Sequence, residues 1–448
     1  MRPMTMLFAA LLPGAFACSS SGALTESADD LEARAAERYI VTLKDQTSTG
    51  TAWVEAHGVQ AEQVFDHSVR GCVLRGTPEM AEELRNDPTV ESVEPDVVVS
   101  LGEEGIAPSP SEIRSQATEI LPDGVSRVGG PRTSAGGLAY VIDTGIDFAN
   151  RDLFVVRGLS RNFVSAEPNR GEDLNFHGTH VAGIIGAKDN AIDVVGVVPN
   201  APLISVRVLD SNGSGLLSEV IAGVDYVASR ARRGDVANMS LGTIGRVDAL
   251  DQAVLRAADR GVLFALSAGN EAVDAVNASP AAVDHPNVFT VTAIGADDCL
   301  ADFSNFGESV DFAAPGVGIL STALGGGILE VDGTSQAAPH VAGILLANRG
   351  VVNSDGSACN DPDGIADPIA SHDPGDGGDD DGGDDDGDDD GGDDDGGGSN
   401  TCSVIQNGDQ ITCTDGECVC LVDGVEVATC TADDEATACS SPGNCCGF

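Results

Sequence analysis

Two of the seven histidines, His177 and His180, stand three positions apart in NFHGTHVAGIIG (175–186), at the mouth of an apolar run. Such a pair can be half of a metal site, one member can move protons, or both can simply pack. The metal reading needs more ligands at fixed spacing, and no Glu or third ligand accompanies the pair. Two other segments complete a different chemistry. AYVIDTGID (139–147) ends an apolar run on Asp143, and DGTSQAAPHVAG (332–343) opens another on Ser335. A serine hydroxyl is a weak nucleophile near its ordinary pKa. It needs an imidazole to take its proton and a buried carboxylate to fix the imidazole tautomer. Each of the three segments carries Gly, which lets backbone approach closely.

The elements that must position these groups are legible in outline. From about 116 to 372, apolar strand-like runs (GLAYVIDTG, PLISVRVLD, GDVANMSLG, GVLFALSAGN, HPNVFTVTAIG) alternate with helix-like runs. The helix-like runs are HGTHVAGIIGA, LLSEVIAGVDYVASRARRG, VDALDQAVLRAADRG and SQAAPHVAGILLANRG. Continuous apolar strands between helices predict an α/β fold, a parallel sheet covered on both faces. The polar motifs fall at strand C-terminal ends, where such sheets carry their sites. Upstream, residues 39–100 read β-α-β-β-α-β, a ferredoxin-like α+β module. Within it TPEMAEELRNDP (77–88) has a Thr cap and a Pro stop. Residues 101–115 form a Gly/Pro/Ser/Glu linker.

Taken together and in the order Asp…His…Ser, these segments resemble the subtilisin-like serine protease family, over about 116–372. The resemblance implies catalytic Asp143, His177 and Ser335. SAGN (267–270) is similar to the family's oxyanion segment, which makes Asn270 the side-chain donor, with the Ser335 backbone N–H as its partner. His180 falls where the family keeps a structural histidine, and His340 reads as a packing residue on the serine helix. NMSLG (238–242) resembles the strand lining the specificity pocket, so Ser240, Leu241 and Gly242, with Ala268 and Gly269, would form the pocket walls. An extended protein or peptide substrate would pair there as an added strand. The chain departs from the family at Gln336, where Met is usual, and at Thr243, where Gly is common. The segment after the serine helix, DGSACNDPDGIADPIA, lacks the usual long closing helix.

Residues 39–100, including VESVEPD (90–96), resemble the family's inhibitory propeptide, which plugs the active site until it is cut off. The cut is expected in the 101–118 linker, so residues 18–115 would be propeptide. The resemblance also implies calcium. AKDNAIDVVG (187–196) has the length and position of the family's calcium loop. The implied ligands are the Asp152 carboxylate, the Lys188, Ile192 and Val194 carbonyls and the Asn190 side chain, with Glu119 or Gln116 completing the set. A second calcium set comprises the Pro286 and Val288 carbonyls and the Asp311 carboxylate.

The rest of the chain bounds the setting. Basic side chains number 23 against 72 acidic, a net charge of -49. That balance excludes nucleic acid and anionic lipid as partners, because phosphate binding needs Lys and Arg. The basic residues are nearly all Arg; only Lys44 and Lys188 are lysines, a bias of genome composition. The first 17 residues read as an export signal: Arg2, an apolar stretch from Met6 to Phe16, and Ala15-Phe16-Ala17 as the cleavage site. Cys18 follows at once, so a lipoprotein anchored through Cys18 stands as the alternative to plain secretion. No other stretch is long and apolar enough to span a membrane. Residues 373–398 are almost only Asp and Gly, a charged extended linker. Residues 399–448 hold eight Cys and read as a small disulfide-rich tail domain. The sequence therefore predicts a monomeric, exported proenzyme of a serine endopeptidase. The competing reading is a catalytically inactive or accessory homologue whose Cys-rich tail mediates binding.

Overall fold

The computed structural model describes residues 27–44, 48–101, 113–114, 118–134 and 136–373, together with four backbone strands between 401 and 431. A nine-stranded sheet forms the centre. Its order is Asn353–Ser357, Pro368–Ser371, Phe312–Pro315, Val288–Ile294, Leu263–Ser267, Val236–Met239, Ala139–Asp143, Leu203–Arg207 and Arg161–Asn162. All neighbouring pairs run parallel except the first, which is antiparallel.

Strand residues alternate between two cores, as a period of two demands. Tyr140, Ile142, Phe264 and Leu266 join one cluster, with Val220 and Val224 of helix Leu217–Arg230 and Ala253 and Val254 of helix Asp248–Asp259. Ala139, Val141, Leu263 and Ala265 join the other, with Val181 and Ile185 of helix His177–Gly186 and Val341 and Leu345 of helix Thr334–Ala347. The five strands and four helices expected from the sequence are all present. Helix Asp248–Asp259 is two-faced, with Asp248 and Asp251 in its first turn and Arg256 in its last, charges that suit its dipole. The two helices His177–Gly186 and Thr334–Ala347 are buried on nearly every side. A helix apolar all round must lie inside, and these two carry their first residues to the ends of the central strands.

The chain closes without a long helix, and the reason is a hairpin: Asn353–Ser357 and Pro368–Ser371 pair and extend the sheet. A disulfide that the sequence reading did not anticipate, Cys299–Cys359, ties the loop after Val288–Ile294 to this hairpin across a separation of 60 residues. Closing a loop of that size stabilises by about 4 kcal/mol in the chain-entropy account.

The upstream module has the expected β-α-β-β-α-β order, with strands Arg38–Leu43, Ala61–Phe65, Gly71–Arg75 and Val90–Pro95 and helices Gly50–His57 and Pro78–Arg85. Its antiparallel sheet stands against helix Leu217–Arg230. Asp96 accepts the Ser218 backbone N–H (3.0 Å) and hydroxyl (2.6 Å), capping that helix's first turn. Farther along the helix, Asp225 accepts the backbone N–H groups of His67 and Ser68, each at 2.7 Å. A short helix not foreseen from the sequence, Ala28–Ala35, precedes the module and reaches the peptidase part through Arg34, which donates to Glu219 (2.6 Å) and Ser165 (2.7 Å).

The four backbone strands Thr401–Gln406, Asp409–Thr414, Glu417–Val422 and Val425–Thr431 form an antiparallel meander. The expected disulfide framework, the Asp/Gly linker, the export signal with Cys18, and Gln116 lie outside the described side chains.

Candidate active site

Asp143 ends a central strand and is fully buried. His177 Nδ1 lies 2.9 and 3.0 Å from its two carboxylate oxygens. An Nδ1–H held by a carboxylate leaves Nε2 as the basic nitrogen. The backbone around this contact is held as firmly. Thr144 N–H donates to Asp143 (2.6 Å), and His177 N–H donates to the Asn175 side chain (3.2 Å). Gly178 follows His177 because nothing larger fits: a Cβ there would lie 2.1 Å from the Gly145 carbonyl and 3.1 Å from Asp143.

A second ring of bonds supports the pair. Asp173 is buried and accepts the Thr144 hydroxyl (3.0 Å), the Asn175 N–H (2.9 Å), and both the Thr179 N–H (3.1 Å) and hydroxyl (2.5 Å). The Thr144 hydroxyl in turn accepts the Gly178 N–H at 2.9 Å. The carboxyl of Asp173 is pushed up by burial. Sequence reasoning missed this ring, and only the nearness of Asp173 to His177 hinted at it.

Ser335 is the second residue of its helix and is nearly buried. Its hydroxyl donates to the Ser240 carbonyl (3.3 Å), and the Ser240 hydroxyl donates back to the Ser335 carbonyl (2.7 Å). The Asn270 side-chain oxygen accepts the Thr334 N–H and hydroxyl, both at 2.9 Å. With Oδ1 committed to Thr334, Nδ2 is the end of the amide that can donate elsewhere. Asn305, also missed, clamps the segment on both sides of Asn270: it donates to the Ala268 carbonyl and to Glu271 (2.9 Å each) and accepts the N–H groups of Glu271 (3.1 Å) and Val273 (3.0 Å). His180 and His340 are buried, and burial pushes them down to about 3 and about 4. Each donates to a backbone carbonyl, His180 to Leu329 (3.1 Å) and His340 to Gln336 (2.9 Å). Both are therefore neutral at ordinary pH.

A cleft of about 540 Å³ brings together Ser240, Leu241, Gly242, Ala268, Gly269, Asn270 and Ser335. Residues 97–101 of the upstream module lie in the same cleft. There Val98–Ser100 pairs antiparallel with Ser214–Leu216, Val99 opposite Gly215, and the Leu101 N–H reaches the Gly213 carbonyl at 3.0 Å. The strand Ser214–Leu216 was not singled out from the sequence. Its small residues in NGSGL were the available signal.

The loop 187–196 wraps Asp152, which is fully buried. The Asp152 carboxylate accepts the Asn190 amide (2.8 Å) and the Val194 N–H (3.3 Å). Burial pushes its carboxyl up to about 6, and Asp193 and Glu119 add like charge. Glu119 accepts the N–H groups of Asn190 (2.6 Å) and Ala191 (2.9 Å). The Lys188 ammonium turns to the Arg151 carbonyl (2.9 Å). At the second set, the Asp311 carboxylate accepts the Thr290 N–H (2.8 Å), beside the strand that starts at Val288; Pro286 lies in the turn before it. Among the described residues, no group of three or more His, Cys, Asp or Glu side chains converges as a metal site. Any cation held by either set would depend on backbone carbonyls.

Comparison with known proteins bears on the whole arrangement. The subtilase family, Peptidase_S8, matches residues 96–353, and the peptidase inhibitor I9 family matches residues 38–102. The chain is 37% identical to alkaline serine protease ver112 of Corniculantispora psalliotae over 75% of this chain and 87% of that protein. It is 42% identical to alkaline serine exoprotease A of Vibrio alginolyticus over 64% of this chain, and spans about half (53%) of that protein's length. A solved structure described as a cold adapted subtilisin-like serine proteinase aligns at 35% identity, covering 56% of this chain and 96% of that one, with a TM-score of 0.48.

Proposed function

Since the chain belongs to the subtilase family of serine proteases, with an inhibitor I9 module ahead of the peptidase domain, we propose that it is a secreted serine endopeptidase made as a proenzyme that processes itself. The observation that carries this reading is the buried contact of Asp143 with His177 Nδ1. It sets the imidazole with its basic nitrogen on the side away from the carboxylate. In the proposed reaction His177 Nε2 takes the Ser335 hydroxyl proton as Oγ attacks the substrate carbonyl. The oxyanion that forms is held by Asn270 Nδ2 and the Ser335 N–H, the latter at a helix N-terminus. His177 then gives the proton to the leaving amine, and water releases the acyl group by the same route in reverse. Ser240, Leu241 and Gly242, with Ala268 and Gly269, wall the pocket for the residue before the cut.

The inhibitor module supports the proenzyme reading. Val98–Ser100 lies as a strand in the cleft, and Leu101 lines that cleft together with Ser335. The first cut is proposed in the 101–118 linker that follows. Ser335→Ala precursor should then remain uncut, and residues 39–100 added in trans should inhibit the processed enzyme. Export rests on the leader at 1–17, with lipid attachment at Cys18 as the variant form. No helix among the described residues is long and apolar enough to cross a membrane.

Calcium is proposed at the loop 187–196. A buried carboxylate with acidic neighbours and only neutral donors fits a hard cation. Asp152 and the Lys188, Ile192 and Val194 carbonyls would hold it, with Asn190 turning its amide oxygen inward. When bound it would neutralise the acid cluster and brace the loop. The set of Pro286, Val288 and Asp311 is the second candidate.

The direct test is a serine-directed phosphonylating reagent on the processed enzyme. Modification at Ser335 with loss of peptidase activity is expected; labelling elsewhere with activity retained defeats the reading.

A further inference from the structure

Arg207 is the largest fully buried side chain among the described residues, and the reaction just described does not use it. A guanidinium taken out of water must be matched by acceptors, and here the acceptors come from two separate segments, at Thr144 and Glu167. Its Nε donates to the Thr144 carbonyl at 3.0 Å, next to Asp143. Its two terminal nitrogens reach the Glu167 carbonyl (3.3 Å) and the Glu167 carboxylate. That carboxylate also accepts the Ser211 hydroxyl at 2.6 Å and the Ser211 N–H at 3.1 Å. The Ser211 carbonyl accepts the Asn175 amide (3.2 Å), and the Asn175 side-chain oxygen accepts the His177 N–H (3.2 Å). The path therefore leaves the carbonyl beside Asp143 and returns at the backbone of His177.

Ser211 sits in the turn that feeds the cleft edge. The adjoining Asp210 carboxylate accepts the Ser214 N–H (3.0 Å), and the Asp210 N–H donates to the Ser214 carbonyl (2.7 Å). Ser214–Leu216 is the edge on which Val98–Ser100 lies as an added strand. The same ion pair, its Arg207 fully buried, thus grips the loop next to the proposed acid–base residues and the edge that receives an extended chain.

We propose that Arg207 and Glu167 are positioning residues that hold the edge strand Ser214–Leu216 in register with Asp143 and His177. A long substrate laid on that edge then arrives with its scissile carbonyl at Ser335. The proposal rests on the endopeptidase reading and adds to it. Neither residue touches substrate. Their effect falls on substrates long enough to use the edge, and leaves untouched those that reach only the serine and its pocket.

The experiment compares two substrates on enzyme expressed as the full chain and allowed to process. One is an acetylated single-amino-acid ester, too short to lie on Ser214–Leu216. The other is a peptide with five residues before the cut. Ser211→Ala and Glu167→Gln should each raise KM for the long peptide by about tenfold, the scale of one charge-assisted hydrogen bond. Turnover of the ester should stay within about twofold of the unsubstituted enzyme. A melting curve on each variant separates stability from position. The double variant Glu167→Gln/Arg207→Met removes both charges of the pair and should melt near the unsubstituted enzyme, yet keep the raised KM. If KM for the long peptide returns together with the melting temperature, the pair is only structural. An equal fall on both substrates overturns the proposal as well. Absence of ester hydrolysis by the unsubstituted enzyme would instead overturn the endopeptidase reading on which it rests.

Discussion

Asp143 and Asp152 lie nine positions apart and are both fully buried, yet they keep opposite company. Asp143 faces an imidazole that can become a cation, along with the Thr144 N–H. Asp152 faces an amide and a backbone N–H, both neutral, with the acids Asp193 and Glu119 nearby. The same side chain at the same burial is closed within the chain in one place and left short of positive charge in the other. The first arrangement suits a group that must stabilise charge forming on its partner during a reaction. The second suits a group waiting for a cation from outside. Burial alone distinguishes neither; the partners do.

The largest effects should come from breaking the first arrangement. Ser335→Ala should lower kcat by about 10⁶-fold, the scale found when a triad nucleophile is removed. Asp143→Asn keeps the shape but offers Nδ1 the wrong hydrogen-bond partner, and should cost about 10⁴-fold in kcat. Peptide hydrolysis at saturating substrate measures both, and neither variant should move the melting temperature in the way calcium does. Full activity in Ser335→Ala would falsify the nucleophile assignment. Asn270→Ala should come next, at about 10²–10³-fold in kcat with KM little changed, since its amide is proposed to act only on the oxyanion. A change confined to KM would show that Asn270 binds the ground state instead.

The comparison also shows what could be seen in advance. Asp143, His177, Ser335 and Asn270 could be singled out as candidates because each sits in a short run that resembles a family segment, and Gly178 against the Gly145 carbonyl shows the close approach that fixes one such run. The strands and helices were legible from long apolar runs. The supports were not. Asp173, Asn305 and the Arg207–Glu167 pair act through bonds between distant segments, and a lone Asp, Asn or Arg carries no spacing to betray its partner. The Cys299–Cys359 bridge was hidden for a like reason: nothing near either partner marks the 60-residue separation. The parting of Val98–Ser100 from its own sheet was equally invisible, since a strand's pattern does not name its neighbour.

The smallest effect, and the sharpest contrast with the proposed acid–base pair, concerns Asp152 and calcium. A cation that binds only the folded protein adds about 2.7 kcal/mol at one hundred times its Kd, so chelation should lower the melting temperature and speed self-digestion while initial turnover stays the same. The acid cluster adds a dependence on pH. Without calcium, the Asp152 carboxyl is raised from 3.8 when exposed to about 6 when folded. A raised carboxyl makes the folded state hold the proton more tightly. Its contribution to stability is therefore full below about pH 3.8 and is lost as pH climbs to about 6. In chelator, melting temperature should carry this downward component between those values, and saturating calcium, which favours the ionised carboxylate, should remove it. Asp152→Ala should lose both the calcium gain and the pH component. The variant is the needed control, because the Asp/Gly run at 373–398 attracts calcium loosely through charge alone. If the full chain melts at one temperature in millimolar calcium and in excess chelator, and Asp152→Ala melts with it, then Asp152 is satisfied by Asn190 and Val194 after all, and the two buried aspartates are alike in needing nothing from outside.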